Sequence, residues 1–239
     1  MESKDVINQW DIAAKSYAEN QRSSPNNLTN WQIIKDTVGD IKNKAVLDAG
    51  CGDGFFSNEL SERGAIVTAC DGSKELIKIA KSDFKSVKFD VCDLTEELPY
   101  NDGEFDLVIS SLTLMDIGCI DKFFSESYRV LNSNGKLVFT IVHPCFFQAD
   151  WEIDENGKKT YKKVSNYWDL NKETLNFWGE TTHYHRPLTW YSKLLKNHGF
   201  LIEELKENPE DLENFKPIKE HQKRVPLFIC FSCLKKSHQ

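Results

Sequence analysis

Val46-Leu-Asp-Ala-Gly-Cys-Gly-Asp-Gly54 is the stretch whose reading decides the fold. A short apolar run, residues 45–49, has the look of a buried strand, and glycines follow at 50, 52 and 54. That spacing belongs where a strand turns tightly into a helix and a ligand must approach bare backbone. The helix predicted over residues 55–63 stops at Gly64, which can take the left-handed conformation that closes a helix.

Outward from this turn, apolar runs alternate with amphipathic stretches, the pattern of a parallel sheet with helices on both faces. Strands are predicted at residues 65–70, 86–91 and 105–110, the last entered through an Asp102-Gly103 turn, with a helix at 74–81. A further helix starts near Asp121 as its N-cap. Asn134-Gly135 turns the chain into a strand at 136–142, which His143-Pro144 ends because proline cannot donate to a ladder. Pro187 opens a helix that runs to Asn197 and stops at Gly199. Two strand candidates, 200–205 and 225–234, follow with no convincing helix between them, so they pair as antiparallel neighbours at the sheet edge. The expected class is α/β: a doubly wound, mostly parallel seven-stranded sheet with a C-terminal antiparallel strand.

Residues 145–186 form the least regular stretch, with Trp151, Tyr161, Tyr167, Trp168, Phe177, Trp178 and Tyr184 spread along it. Aromatic density on a long connection points to a lid or substrate wall at the carboxyl ends of the strands, a compact loop packed on its own aromatics being the other reading. The 239 residues, 40% hydrophobic, supply one substantial core rather than two. One domain over 1–239 is expected, with residues 1–43 as an N-terminal helical cover.

The formal net charge of -7 and the absence of a Lys/Arg cluster argue against a nucleic-acid partner, since a phosphate backbone would be repelled. The first nine residues are charged and polar, unlike a signal peptide, and no stretch is long and apolar enough to span a membrane. Seven cysteines, an odd number mostly set in apolar segments, fit a reducing cytoplasm. Cys230-Phe-Ser-Cys233 has redox or zinc spacing, but on a strand the alternation sends the two thiols to opposite faces, which makes them structural.

Asp48-x-Gly50-x-Gly52-x-Gly54 resembles motif I of the class I S-adenosylmethionine (SAM)-dependent methyltransferases and departs by one position from the dinucleotide G-x-G-x-x-G. The glycine count alone is weak evidence; Asp71 at the end of the next strand and Asp93 after the third strengthen it. The resemblance implies that Asp71, with Gly72 beside it, fixes the SAM ribose. It implies that Asp93 takes the adenine amino group between Cys92 and Leu94, and that Asp48, Gly50, Cys51 and Gly52 face the methionine end. Ser110 and Ser111, in Ser110-Ser-Leu-Thr-Leu-Met-Asp116, match the region under the sulfonium. Trp10 and Tyr17 resemble cofactor contacts of the N-terminal helix in small-molecule members of the family, a plain docking helix being the alternative. Each aspartate by itself could be a cap or turn residue.

Transfer from a sulfonium gains chiefly from alignment and exclusion of water. A hydroxyl acceptor also needs a base, and His143, His183 and His185 are candidates because imidazole titrates near neutrality. His143 is favoured for its place at a strand's carboxyl end, with Tyr184 and His185 on the lid side; each histidine could instead be structural. His183-x-His185 lacks a second ligand pair, so no metal is expected. The leading expectation is a cytoplasmic O- or N-methyltransferase, monomer or homodimer, acting on a small-molecule acceptor. Its competitors are an NAD(P)-dependent oxidoreductase on the same turn and a SAM-binding subunit without catalysis.

Overall fold

The computed structural model describes residues 3–211 and 223–236. Helices α1 (Ser3–Gln21) and α2 (Pro25–Val38) precede β1 (Ala45–Ala49), which leads into α3 (Phe55–Glu62). Strand β2 (Ile66–Asp71), helix α4 (Lys74–Asp83), strand β3 (Lys88–Val91) and strand β4 (Phe105–Ser111) follow, then α5 (Asp121–Val130) and β5 (Leu131–Val142). These five strands pair in parallel, β1 between β2 and β4. Because the crossovers place helices on both faces, the central strands β1 and β4 are buried on both sides. Along β1, Val46 joins one core cluster and Leu47 and Ala49 the other.

After α6 (Leu188–Asn197) the chain ends in β10 (Phe200–Lys206) and β11 (Phe228–Lys235), with β6 to β9 lying in the insertion before α6. The sheet order is β3-β2-β1-β4-β5-β11-β10. Strand β11 is antiparallel to both neighbours and fills an interior position, while β10 takes the edge. Its alternation is clean: Phe228 and Cys230 face one core, Ile229, Phe231 and Cys233 the other, so the C-x-x-C thiols do lie on opposite faces. The rings of Phe139 and Phe231 stack across β5 and β11 with centroids 4.7 Å apart.

Several boundaries differ from the sequence reading. Asn134-Gly135 does not start the fifth strand: β5 begins at Leu131 and is irregular at its beginning, where its register to β4 slips. Asp121 lies in the first turn of α5 rather than capping it. The insertion is two antiparallel hairpins, β6 (Asp150–Ile153) with β7 (Lys159–Lys163) and β8 (Lys172–Asn176) with β9 (Glu180–Tyr184). Their strands are short and half-exposed, so they carry little apolar signal. Among the described residues no helix is long and apolar enough to cross a membrane.

Helix α1 is fastened across the carboxyl edge of the sheet. Ser73 Oγ accepts the Leu76 N–H as the cap of α4 and donates to Asp11 Oδ1 of α1 at 2.6 Å. At the far side of α1, Gln9 Oε1 accepts the Thr182 N–H of β9. Replacing Ser73 by alanine is expected to cost about 1 kcal/mol, the usual worth of such a cap, read as a lowered urea midpoint with unchanged slope.

Candidate active site

The carboxyl ends of β1 to β4, roofed by α1, enclose a cavity of about 650 Å³. Its floor is the turn after β1. Gly50, Gly52 and Gly54 all have positive φ, and at Gly50 (φ 82°) an added Cβ would lie 2.3 Å from Thr113 Cγ2. Across Gly52 lies the Tyr17 ring, 3.2 Å from where a Cβ would be. Side chains are excluded there because the neighbouring elements close onto bare backbone.

Asp71, at the end of β2, lines the cavity with its carboxylate pinned by two backbone amides, Gly52 N–H to Oδ2 and Ser73 N–H to Oδ1, both 2.9 Å. Asp93 lines it beyond β3; Thr95 donates to its Oδ1 through N–H and hydroxyl, and Ser3 of α1 donates to its Oδ2 at 2.6 Å. Trp10, Tyr17, Gly50, Gly52, Gly72, Leu94, Ser111 and Tyr184 also reach the cavity. Tyr17 meets Trp10 and Trp178 edge to face, at 5.4 and 5.7 Å. Burial, then the charges of Asp53, Asp71, Asp116 and Asp48, push its phenol well above the ordinary range, so it stays protonated.

Asp48, Cys51, Cys92 and Ser110 do not line the cavity. Asp48 faces inward and accepts from Ser57 Oγ of α3 at 2.6 Å, which ties β1 to the helix after it. Burial raises its carboxyl to about 6, against the lowering effect of Ser57 and with a further push from Asp71. Cys51 and Cys92 are buried thiols, the latter 3.7 Å from the Tyr100 hydroxyl. Ser110 points into the core, since alternation along β4 gives the cavity to Ser111.

The histidines correct the sequence reading most. His143 does not line the cavity; it is buried, with Nε2 2.7 Å from Glu207 and Nδ1 accepting the Cys145 N–H. Burial lowers its pKa despite Glu207, and both ring nitrogens are engaged away from the cavity. His185 is likewise turned away, its Nε2 on the Tyr167 carbonyl at 2.9 Å. Of the three catalytic candidates only Tyr184 faces the cavity, and its buried hydroxyl has no hydrogen-bond partner among the described residues.

Sequence reasoning passed over Asp116. It sits on a single 3-10 turn (Leu114–Asp116) after β4, is only 6% exposed, lines the cavity, and has Oδ1 2.7 Å from His183 Nε2 of β9. Burial raises the Asp116 pKa, opposed by His183 and Arg186; burial lowers that of His183, but Asp116, by charge and hydrogen bonding, and the Glu173 charge together raise it. Asp116 closes the Ser110–Asp116 stretch already noticed, but nothing in the local pattern foretells a partner in the second hairpin.

Asp53 fills the amino end of α3. Its Oδ1 approaches the Phe55 N–H at 3.4 Å and accepts from Gln21, and its Oδ2 accepts from Arg22 at 2.6 Å. A carboxylate thus stands where a dinucleotide fold offers a helix amino end to pyrophosphate.

Residues 47–139 match the family model described as a methyltransferase domain. The chain is 32% identical over 170 residues to a malonyl-[acyl-carrier protein] O-methyltransferase of Buchnera aphidicola, covering 67% of this chain and 65% of that one. It is 32% identical over 138 residues to a demethylmenaquinone methyltransferase of Renibacterium salmoninarum, covering 57% and 58%. The chain therefore spans less than two thirds of either relative's length. A Listeria monocytogenes crystal structure assigned to the SAM-dependent methyltransferases superposes with a TM-score of 0.72 at 28% identity, over 87% of this chain and 97% of that one.

Proposed function

The chain carries a class I SAM-dependent methyltransferase domain, and from that premise we propose that it transfers the methyl group of SAM to an oxygen or nitrogen of a small-molecule acceptor. The observation that carries this reading is the Asp71 carboxylate, fixed by the Gly52 and Ser73 amides at the rim of a bare-backbone floor. An acceptor fixed in that way meets two adjacent ribose hydroxyls at little cost in reorganisation. In the same reading Asp93 and Leu94 hold the adenine, Gly50 and Gly52 face the methionine end, and Ser111 lies under the sulfonium. Trp10 and Tyr17 of α1 cover it, and the domain is one unit in which residues 145–186 wall the acceptor side.

When bound, SAM supplies an activated methyl group on a cationic sulfur. The protein's part is to align the acceptor with it and keep water out, which the aromatic cover provides. Asp48, Cys51, Cys92 and Ser110 act from behind, by holding the turn and strand ends in place. The acidic lining suits a cationic cofactor: among the described residues, Asp71, Asp93 and Glu96 line its side of the cavity, with Lys4. A nicotinamide dinucleotide is disfavoured because Asp53, held by Gln21 and Arg22, already occupies the amino end of α3 that a pyrophosphate would need.

Calorimetric titration of the full chain with SAM, S-adenosylhomocysteine and NADH tests the reading. Micromolar binding of both sulfur nucleotides and none of NADH is expected. Binding of NADH alone would overturn it.

A further inference from the structure

The end of the cavity beyond β4 has a chemistry that narrows the acceptor, given the cofactor reading above. Its lining there is Thr113, Asp116, Ile117, Gly118, Cys119 and Tyr184, and Asp116 is the one charged group among them. Oδ1 of Asp116 lies 2.7 Å from His183 Nε2, and the residue lines this end of the cavity. Tyr184 lines the same cavity, and its hydroxyl has no hydrogen-bond partner among the described residues.

Among the described residues lining this end, none is a lysine or arginine that could receive an anionic acceptor. Arg186 is near, but its guanidinium donates to the carbonyls of Leu114 at 3.1 Å, Gly118 at 2.9 Å and Ile117, and lies over the Tyr184 ring at 5.3 Å. It therefore builds the 114–118 turn from behind. A carboxylate or phosphate entering this end would meet the Asp116 carboxylate, with His183 already engaged to its Oδ1 and no further cation among the described lining residues there. An ammonium would find a carboxylate oxygen, a hydroxyl and aromatic walls from Trp10, Tyr17 and Tyr184, the set that recognises cations.

We propose that the acceptor is an amine, bound as its ammonium ion against Asp116 and Tyr184, and that Asp116 takes one proton from it before transfer. The freed nitrogen lone pair then forms the bond to the methyl carbon as the carbon–sulfur bond breaks, its electron pair staying on sulfur. The product leaves as the methylated ammonium, and the Asp116 proton passes to solvent. His183 is a positioning residue: it holds Oδ1 and so fixes the carboxylate. The charged groups around the pair are Glu173 across from His183, Arg186 behind the turn and Asp71 from β2, with the neutral Tyr17 phenol from α1.

The test is calorimetry on the full chain saturated with S-adenosylhomocysteine, using three probes of one skeleton: 2-phenylethylamine, 2-phenylethanol and phenylacetate. The amine is expected to bind at least tenfold more tightly than either other probe, and Asp116→Asn should remove most of that preference while leaving S-adenosylhomocysteine affinity within threefold. His183→Gln, which keeps a donor to Oδ1, should retain the preference, and His183→Leu should lose it. Alcohol or carboxylate binding as tightly as the amine, or no amine binding, overturns the proposal in the wild-type protein whatever the variants do. A tenfold loss of S-adenosylhomocysteine affinity in Asp116→Asn also overturns it, because the carboxylate then serves the cofactor's own ammonium. Failure of the wild-type chain to bind S-adenosylhomocysteine sinks the cofactor reading itself, a different outcome.

Discussion

Gly54→Ala is expected to destabilise the protein by about 2–4 kcal/mol, the sum of left-handed backbone strain and core crowding. Gly54 stands at the start of α3 with φ 79°, and an added Cβ would lie 2.7 Å from Phe89 Cζ and 2.8 Å from Ala80 Cβ. Both neighbours are buried, on β3 and α4, so neither can step aside into solvent. Gly39→Ala separates the two contributions. Gly39 has φ 61° at the end of α2 with nothing within 4 Å of its Cβ position, so only the strain of about 1–2 kcal/mol should appear there. Urea midpoints of the two variants decide the matter: equal losses would mean that the packing around Gly54 is looser than described.

Asp71→Ala should weaken SAM binding by about 1.5–3 kcal/mol, roughly 10- to 150-fold, because a charged acceptor for two hydroxyls is removed. The variant also frees the Gly52 and Ser73 amides, so circular dichroism must first show the fold retained. Asp71→Asn keeps one carbonyl oxygen for those amides and should fall between alanine and wild type. Unchanged SAM affinity in a folded Asp71→Ala protein would remove the ribose assignment.

The sheet and the floor of the cavity were legible in the sequence because their signals are local. Hydrophobic runs bounded by glycines mark β1, β2 and β4, and Asp71 and Asp93 sit just past strands whose carboxyl ends must share an edge. The Asp116–His183 pair and the burial of His143 were not legible, for the opposite reason. His143 ends a strand at that edge, yet its ring is turned to Glu207, 64 residues away, and no pattern around His143 announces that partner. Asp116 and His183 meet only because the insertion folds into hairpins, whose alternating Lys172-Glu-Thr-Leu-Asn176 is too polar to read as a strand by hydrophobicity. Within the helical cover expected over residues 1–43, the bounds of α2 were not marked: Asn26, Asn27 and Asn30 are poor helix formers, and Asn30 donates to Ser111 Oγ at 2.8 Å.

The interior place of β11 also bears on how the chain comes to be folded during synthesis. Residues 200–206 leave the ribosome before residues 228–235, so β10 emerges with no neighbour to pair with, and the open edge of β5 waits with Phe139 uncovered. A messenger truncated between the two strands would delete the rung that joins β10 to the rest of the sheet, not a dispensable margin. An open sheet edge beside an uncovered ring favours aggregation, so chaperone demand is expected to drop once residues 228–235 have cleared the exit tunnel.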